Sequence, residues 1–176
     1  MKLTKYISLG ILLILSSILN AQEKYSNDVY GFQLVFPDDF VNKTEDREKM
    51  DVISLNCYHN SMIFLASCFD YKKEIPNDEL NLKEVEALAL TADSFNSKFK
   101  AKKIGQWKVG KYEGLSTPIK GKVKSADGKR MTFYGYMYAL AIKDGVEYRL
   151  TILAPSKKAF NETKAKAYVE SFKISE

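Results

Sequence analysis

The chain has 176 residues, 27 basic and 22 acidic, with a formal net charge of +5, one histidine and two cysteines. So few soft ligands leave little material for a zinc centre, and the interspersed signs of charge argue against a dedicated nucleic-acid surface. What remains is a mild attraction to anionic surfaces.

The first residues read as an address. Lys2 and Lys5 precede an apolar run over 7–19, and Asn20-Ala21-Gln22 offers a small residue for cleavage after Ala21. That is the pattern of a secretory signal peptide. The run is about 13 residues, short of the roughly 20 that cross a bilayer. No cysteine near the cleavage point offers lipid attachment, and no later segment is apolar enough to span. The expectation is an exported protein, periplasmic or secreted, with residues 1–21 removed. Residues 22–176 then form one domain, a monomer or weak dimer with no membrane span. A chain of that size buries about 70% of its unfolded surface and needs no metal or disulfide to fold.

Residues 25–28 form a polar lead. Over 30–36, Phe32, Leu34 and Phe36 alternate with Gln33 and Val35, predicting a strand. Pro37-Asp38-Asp39 stops it, and the charged stretch 41–49 reads as a loop or short helix. Residues 51–58 and 62–71 predict a hairpin turning at Asn60-Ser61. In that register Cys57 faces Phe64 and Cys68 faces Ile53. The sulfurs are offset by four residues, roughly 13 Å along a strand, whereas a disulfide needs Cα atoms within about 7 Å. Two buried thiols are expected.

A linker with Pro76 leads to a helix over 82–99. Asn81 and Glu84 form a capping box, and Leu82, Val85, Leu88, Ala89, Ala92, Phe95 and Phe99 draw one apolar stripe. Strands follow over 103–109 and 112–124, joined by Gly110-Lys111, with Pro118 expected at an edge or bulge. Turns at 125–128 and Asp144-Gly145 bracket 130–143, and a further strand covers 146–154, making a meander. In 130–143 both alternating sets are largely apolar: Met131, Phe133, Gly135, Met137, Ala139 and Ala141 on one side, Thr132, Tyr134, Tyr136, Tyr138, Leu140 and Ile142 on the other. This predicts a central strand covered on both faces. Pro155-Ser156 ends the sheet, and Ser156 is expected to cap a last helix over 157–171 that buries Phe160, Ala167, Tyr168 and Phe172.

The opening YGFQLVFPDDF over 30–40 resembles the start of PsbP-like domains, where a glycine-aromatic strand runs into a proline turn. The amphipathic helix, the meander and the closing ESFKI at 170–174 are similar to the later pattern of that family. The family includes an extrinsic photosystem subunit, a Ran-binding nuclear protein and bacterial envelope proteins. The resemblance covers nearly all of 22–176. It implies an α+β fold, an antiparallel sheet flanked by helices on both faces, and roles in binding and assembly. Nothing in the chain suggests photosynthesis, and an export signal excludes nuclear transport.

No constellation of residues carries chemistry. His59, at the hairpin tip, is expected as an exposed turn residue, and a Ser-His-Asp site would depend on it. No G-x-S-x-G elbow exists. The run Gly105 to Tyr112 nearly matches a phosphate-binding loop but has Tyr112 where a hydroxyl should hold magnesium, with no helix to follow. Asp38-Asp39 and Glu45-Asp46 are neighbours that point apart on a regular element. Catalytic residues, metal and cofactors are therefore expected to be none. The tyrosines suit recognition instead, because each gives a large contact with a polar tip. Tyr134, Tyr136, Tyr138, Tyr148 and Arg130 are the candidate binding residues, with Lys120, Lys122, Lys124, Lys129 and Arg130 as a basic rim. The function expected is a non-enzymatic module that binds another envelope protein, an immunity-type protein that plugs a toxin being a lesser variant. A small-ligand carrier using the tyrosine face is the alternative.

Overall fold

The computed structural model describes residues 22–48, 50–72, 98–101, 105–124, 129–142 and 145–175. The signal-peptide segment 1–21, the turn at 125–128 and nearly all of the expected helix over 82–99 lie outside the described residues. Lys98 and Phe99, assigned to the end of that helix, begin a strand instead.

The elements in chain order are β1 (Glu23–Asn27), β2 (Phe32–Phe36), β3 (Phe40–Arg47), β4 (Met50–His59), β5 (Met62–Asp70), β6 (Lys98–Ala101), β7 (Gly105–Val109), β8 (Tyr112–Lys124), β9 (Arg130–Ile142), β10 (Val146–Ala154), α1 (Glu162–Ser171) and β11 (Lys173–Ile174). The main sheet is antiparallel in the order β3-β4-β5-β10-β9-β8-β6, with β7 also paired to β8. A second sheet has the order β1-β2-β11. Among the described residues α1 is the single helix, so helices on both faces are not seen among them, and the other expected helix lies almost wholly outside them. One face of the main sheet is covered jointly by α1 and the small sheet, because Phe32, Leu34 and Phe36 of β2 and Ala165, Tyr168 and Val169 of α1 share one core with β4, β5 and β10. Ile119, Phe133, Met137 and Leu153 form a separate cluster on the other face.

The hairpin β4-β5 has the expected register, with Cys57 opposite Phe64 and Cys68 opposite Ile53. Asn60 and Ser61 both take positive φ, as a two-residue turn between twisted strands requires. Both cysteines are buried thiols; burial pushes Cys57 up to about 11 and Cys68 up to about 12. Pro118 lies where β8 passes from one neighbour to the next. β7 pairs with Tyr112 to Ser116 and β6 with Ile119 to Lys122, so the proline's missing N–H falls in the gap.

Three expectations are corrected. The polar lead is strand β1, and the stretch taken as loop or short helix is edge strand β3. The last helix starts at Glu162, with Asn161 accepting from the Lys164 amide as its cap; Ser156 caps only the preceding turn. The later start rotates its buried side to Ala165, Tyr168 and Val169, leaving Ala167 exposed. Two-sided burial is more complete in β10 than in β9. Eight of its nine residues are buried, whereas β9 is buried from Phe133 to Ala139 on one face, with Met131 exposed, and partly open on the tyrosine face.

β9 and β10 approach closely at Gly135, which pairs with Leu153. A Cβ there would sit 1.7 Å from the Ile152 carbonyl oxygen, a backbone atom that cannot swing aside. Gly135→Ala is expected to lower stability by about 3 kcal/mol in urea titration. Tyr168 presents the converse case. Its ring lies 5.4 Å from Phe36 and 5.1 Å from Phe64, and its buried hydroxyl has no hydrogen-bond partner among the described residues. Tyr168→Phe removes an orphaned polar group and is expected to raise stability by about 1 kcal/mol; a loss in the same titration would reveal a partner for the hydroxyl.

Candidate functional site: an aromatic groove beside the helix

Strand alternation places Tyr134, Tyr136 and Tyr138 on the face of β9 shared with α1. The residues before α1 bring the Phe160 ring to 5.5 Å from Tyr136. On the far side, Trp107 of β7 stands edge-on to Tyr138 at 5.5 Å and 5.6 Å from Phe172. A groove of about 970 Å³ lies between the β7-β8 hairpin and α1, lined by Trp107, Tyr112, Tyr136, Tyr138, Val169 and Phe172 among others. Across the Tyr136–Phe160 contact a second hollow of about 490 Å³ is bounded by Pro118, Lys120, Tyr134 and Lys157. The tyrosine row therefore spans two compartments, with Tyr136 at 39% exposure as the ridge between them.

The floor is apolar with polar tips. Burial, and then the neighbouring Tyr136, raise the Tyr138 hydroxyl above its ordinary pKa. The rim is charged and mostly paired. Lys108 meets Glu113 at 2.6 Å, Lys166 meets Glu170 at 3.6 Å, and Lys111 lies 5.5 Å from the centre of the Tyr112 ring. The groove also runs between two strand edges: among the described residues β7 pairs only with β8, and β11 is the edge of the small sheet.

Of the candidate residues, Tyr134, Tyr136 and Tyr138 come together here. Tyr148 does not. It is 1% exposed, its hydroxyl donates to the Tyr30 carbonyl, and its ring packs on Phe32 and Phe172. The β9-β10 register explains this, because Tyr148 pairs with Leu140 and lies below the open part of the row. Arg130 is exposed at the opposite end of β9, paired with Lys124, and lies outside the groove. Trp107, Phe160, Val169 and Phe172 complete the site. Their alternation or helical spacing marked some of them as apolar, but only the long-range packing of α1 on β9 shows that they converge. The near-match to a phosphate loop is the β7-β8 hairpin itself, strand-turn-strand.

His59 is not an exposed turn residue. Its side chain is 12% exposed. Nδ1 donates to Asp38 Oδ2 at 3.0 Å, while Nε2 accepts from Lys164 Nζ at 2.6 Å and Asn60 Nδ2 at 2.7 Å. One neutral tautomer satisfies all three contacts, and they fasten the hairpin tip to the first turn of α1. The other acidic neighbours are surface partners: Glu45 is held to about 2 by hydrogen bonds from Lys43 and Arg47, and Asp46 meets Lys72 at 3.3 Å. Among the described residues no group of three metal-ligating side chains occurs, and no helix is long and apolar enough to cross a membrane.

No protein-family model matches the sequence, and no curated protein matches it. Among solved structures, the chain is similar to cyanobacterial PsbP (CyanoP) from Synechocystis sp. PCC 6803, with a TM-score of 0.58 at 10% identity over 89% of this chain and 94% of that one. The fold is PsbP-like. The Saccharomyces cerevisiae Ran-binding protein Mog1p is also similar, with a TM-score of 0.48 at 12% identity over 87% of this chain and 95% of that one. The two segments that carried the sequence resemblance are neighbours in this PsbP-like fold: Phe32 pairs with Ile174, and the Ser175 amide donates to the Gly31 carbonyl at 2.6 Å.

The hydrogen bond from His59, followed by the Asp39 amide, holds the Asp38 carboxyl below the usual carboxylate range. A depressed native pKa adds stability above the unfolded value that is lost as pH falls through the native one. His59→Phe is therefore expected to raise the Asp38 pKa, read from its side-chain carbonyl shift by NMR, and to weaken the acid-induced part of unfolding.

Proposed function

We propose that this chain is a non-enzymatic, exported binding module of a bacterial envelope, holding an apolar segment of another protein in the groove beside α1. One observation carries the reading: an aromatic-floored groove that opens between two strand edges. An extended segment can be accommodated there, with side chains entering the two hollows and its backbone meeting the unpaired edge of β7. The floor suits recognition because tyrosine and tryptophan give rigid, amphipathic contact area at low entropic cost. The one histidine supports a structural role, since its accepting nitrogen already faces the Lys164 ammonium and the Asn60 amide, and among the described residues no hydroxyl or thiol meets it. Export rests on the apolar run and cleavage pattern of residues 1–22.

A small-ligand carrier is the second reading, favoured by a hollow of about 490 Å³, which lies in the size range of ligand pockets. Photo-crosslinking from position Tyr112 in the native envelope separates the two. A protein adduct that is missing from position Val29, 84% exposed and outside the groove, supports the first. A small-molecule mass retained in native mass spectrometry, without a protein adduct, replaces it with the second. Neither adduct nor retained mass ends both. Tyr136→Ala is expected to weaken the adduct-forming interaction at least about tenfold, as for an aromatic anchor at an interface centre. Its effect on stability should stay under about 1 kcal/mol, because the ring is already partly in water.

A further inference from the structure

We propose that the end of the main sheet built from β6, β8 and the first half of β9 docks onto an anionic lipid bilayer surface. The inference does not depend on what occupies the groove, although Pro118, Lys120 and Tyr134 also bound its second hollow. It starts from register. Lys98 pairs with Lys122, Lys100 with Lys120, and Lys124 with Arg130. Cross-strand partners share a face, so one face of three adjacent strands carries Lys98 and Lys100, then Lys120, Lys122 and Lys124, then Arg130. Pro118, Thr132, Tyr134 and Tyr136 fill the remaining positions of that face in β8 and β9, and none of the positions is acidic. With strands about 4.8 Å apart and about 6.7 Å between alternate residues, the six cationic positions fall within a patch of about 10 by 13 Å.

Elsewhere on the surface four lysines sit beside acids: Lys43 with Glu45, Lys72 with Asp46 and Asp51, Lys108 with Glu113, Lys166 with Glu170. Here cationic residues occupy opposite register positions in three successive rows, and like charges so paired weaken a sheet. An anionic partner reverses the sign of that contribution. Lys120, Lys122 and Arg130 are exposed, so their charges are available to it.

The shape selects a membrane. The patch is a sheet face, and among the described residues no helix or ribbon projects from it to enter a nucleic-acid groove. At its margin stand Tyr134 and Tyr136, partly exposed rings with polar tips, the residue type that gathers at lipid–water interfaces. Each lysine held near an anionic leaflet adds a modest, salt-sensitive attraction, and six positions together suffice for reversible docking.

The test is co-sedimentation of the full chain with vesicles of phosphatidylcholine alone or mixed with phosphatidylglycerol, at low and high salt. Any contribution of the apolar run at 7–19 is common to both vesicles, so the readout is the difference between them. Binding is expected to favour the mixed vesicles and to fade with salt. Lys120→Gln/Lys122→Gln should lower the partition by about 30-fold, Lys120→Arg/Lys122→Arg should keep it, and Lys24→Gln, on the small sheet, should change it little. The Gln variant should melt no lower than the parent, since it relieves like-charge pairs. Equal binding to both vesicles, a Gln variant that partitions like the parent, or capture by a soluble sulfated polysaccharide with no vesicle binding overturns the proposal.

Discussion

Burial of β10 between strands on both edges and packed side chains on both faces is the constraint on which the rest of the molecule depends. Tyr148, Leu150, Ile152 and Ala154 enter the core shared with α1 and the small sheet, while Leu153 joins the smaller cluster behind. A strand so enclosed leaves no room for an unmatched polar group. The one charged pair it carries is satisfied locally: Arg149 donates to Glu147 Oε1 at 3.0 and 2.8 Å, lies 4.5 Å from the centre of the Phe69 ring, and Tyr71 donates to the other Glu147 oxygen at 2.8 Å. Such a pair contributes little net stability against an apolar substitute, yet losing one member leaves a bare charge in the interior. Its effect is to fix register, because a slip by one residue would turn both charges into the aromatic core.

That core explains why the termini of the domain meet. Phe32, Leu34 and Phe36 must be covered, and a two-sheet arrangement does so by setting β2 against α1 and closing its edge with β11. Ser171 fastens the seam: its hydroxyl accepts from the Val35 amide at 3.0 Å and donates to the Tyr168 carbonyl at 2.7 Å. The segments YGFQLVFP and ESFKI are thus two sides of one contact. The pattern in both segments follows from the aromatic packing of Phe32 on Phe172 and the pairing of β2 with β11.

What could be read from the sequence follows from where water lies. The β4-β5 register and the buried thiols were legible because one face of each strand is dry and a two-residue slip finds no equivalent pattern. β1 and β3 were not, because an edge strand wet on both faces shows no apolar alternation. In β3 the usable signal is the charge alternation Lys43, Glu45, Arg47, whose side chains pair along one face. His59 failed for a different reason. Its neighbours Asp38 and Lys164 are 21 and 105 residues away in sequence, and no local pattern announces either contact. Tyr148 was grouped with the β9 tyrosines because all four are tyrosines near one turn, whereas burial is decided by which strand lies under the small sheet.

The groove and the basic face share a single geometric origin. α1 has ten residues, about 15 Å of helix, whereas β9 runs for thirteen, about 43 Å of strand. A helix of that length cannot roof a strand so long. Under α1 and the small sheet the face of β9 is apolar and ends in buried Leu140; at the helix margin it carries the tyrosines, apolar in body and polar at the tip; beyond, it gives way to Thr132 and Arg130 with lysines on the neighbouring strand. The sequence of β9 therefore grades from core to interface to solvent along one face, while its other face stays apolar almost throughout. Among the described residues no element covers the Arg130 end of that face, which is why its side chains turn from apolar to charged there.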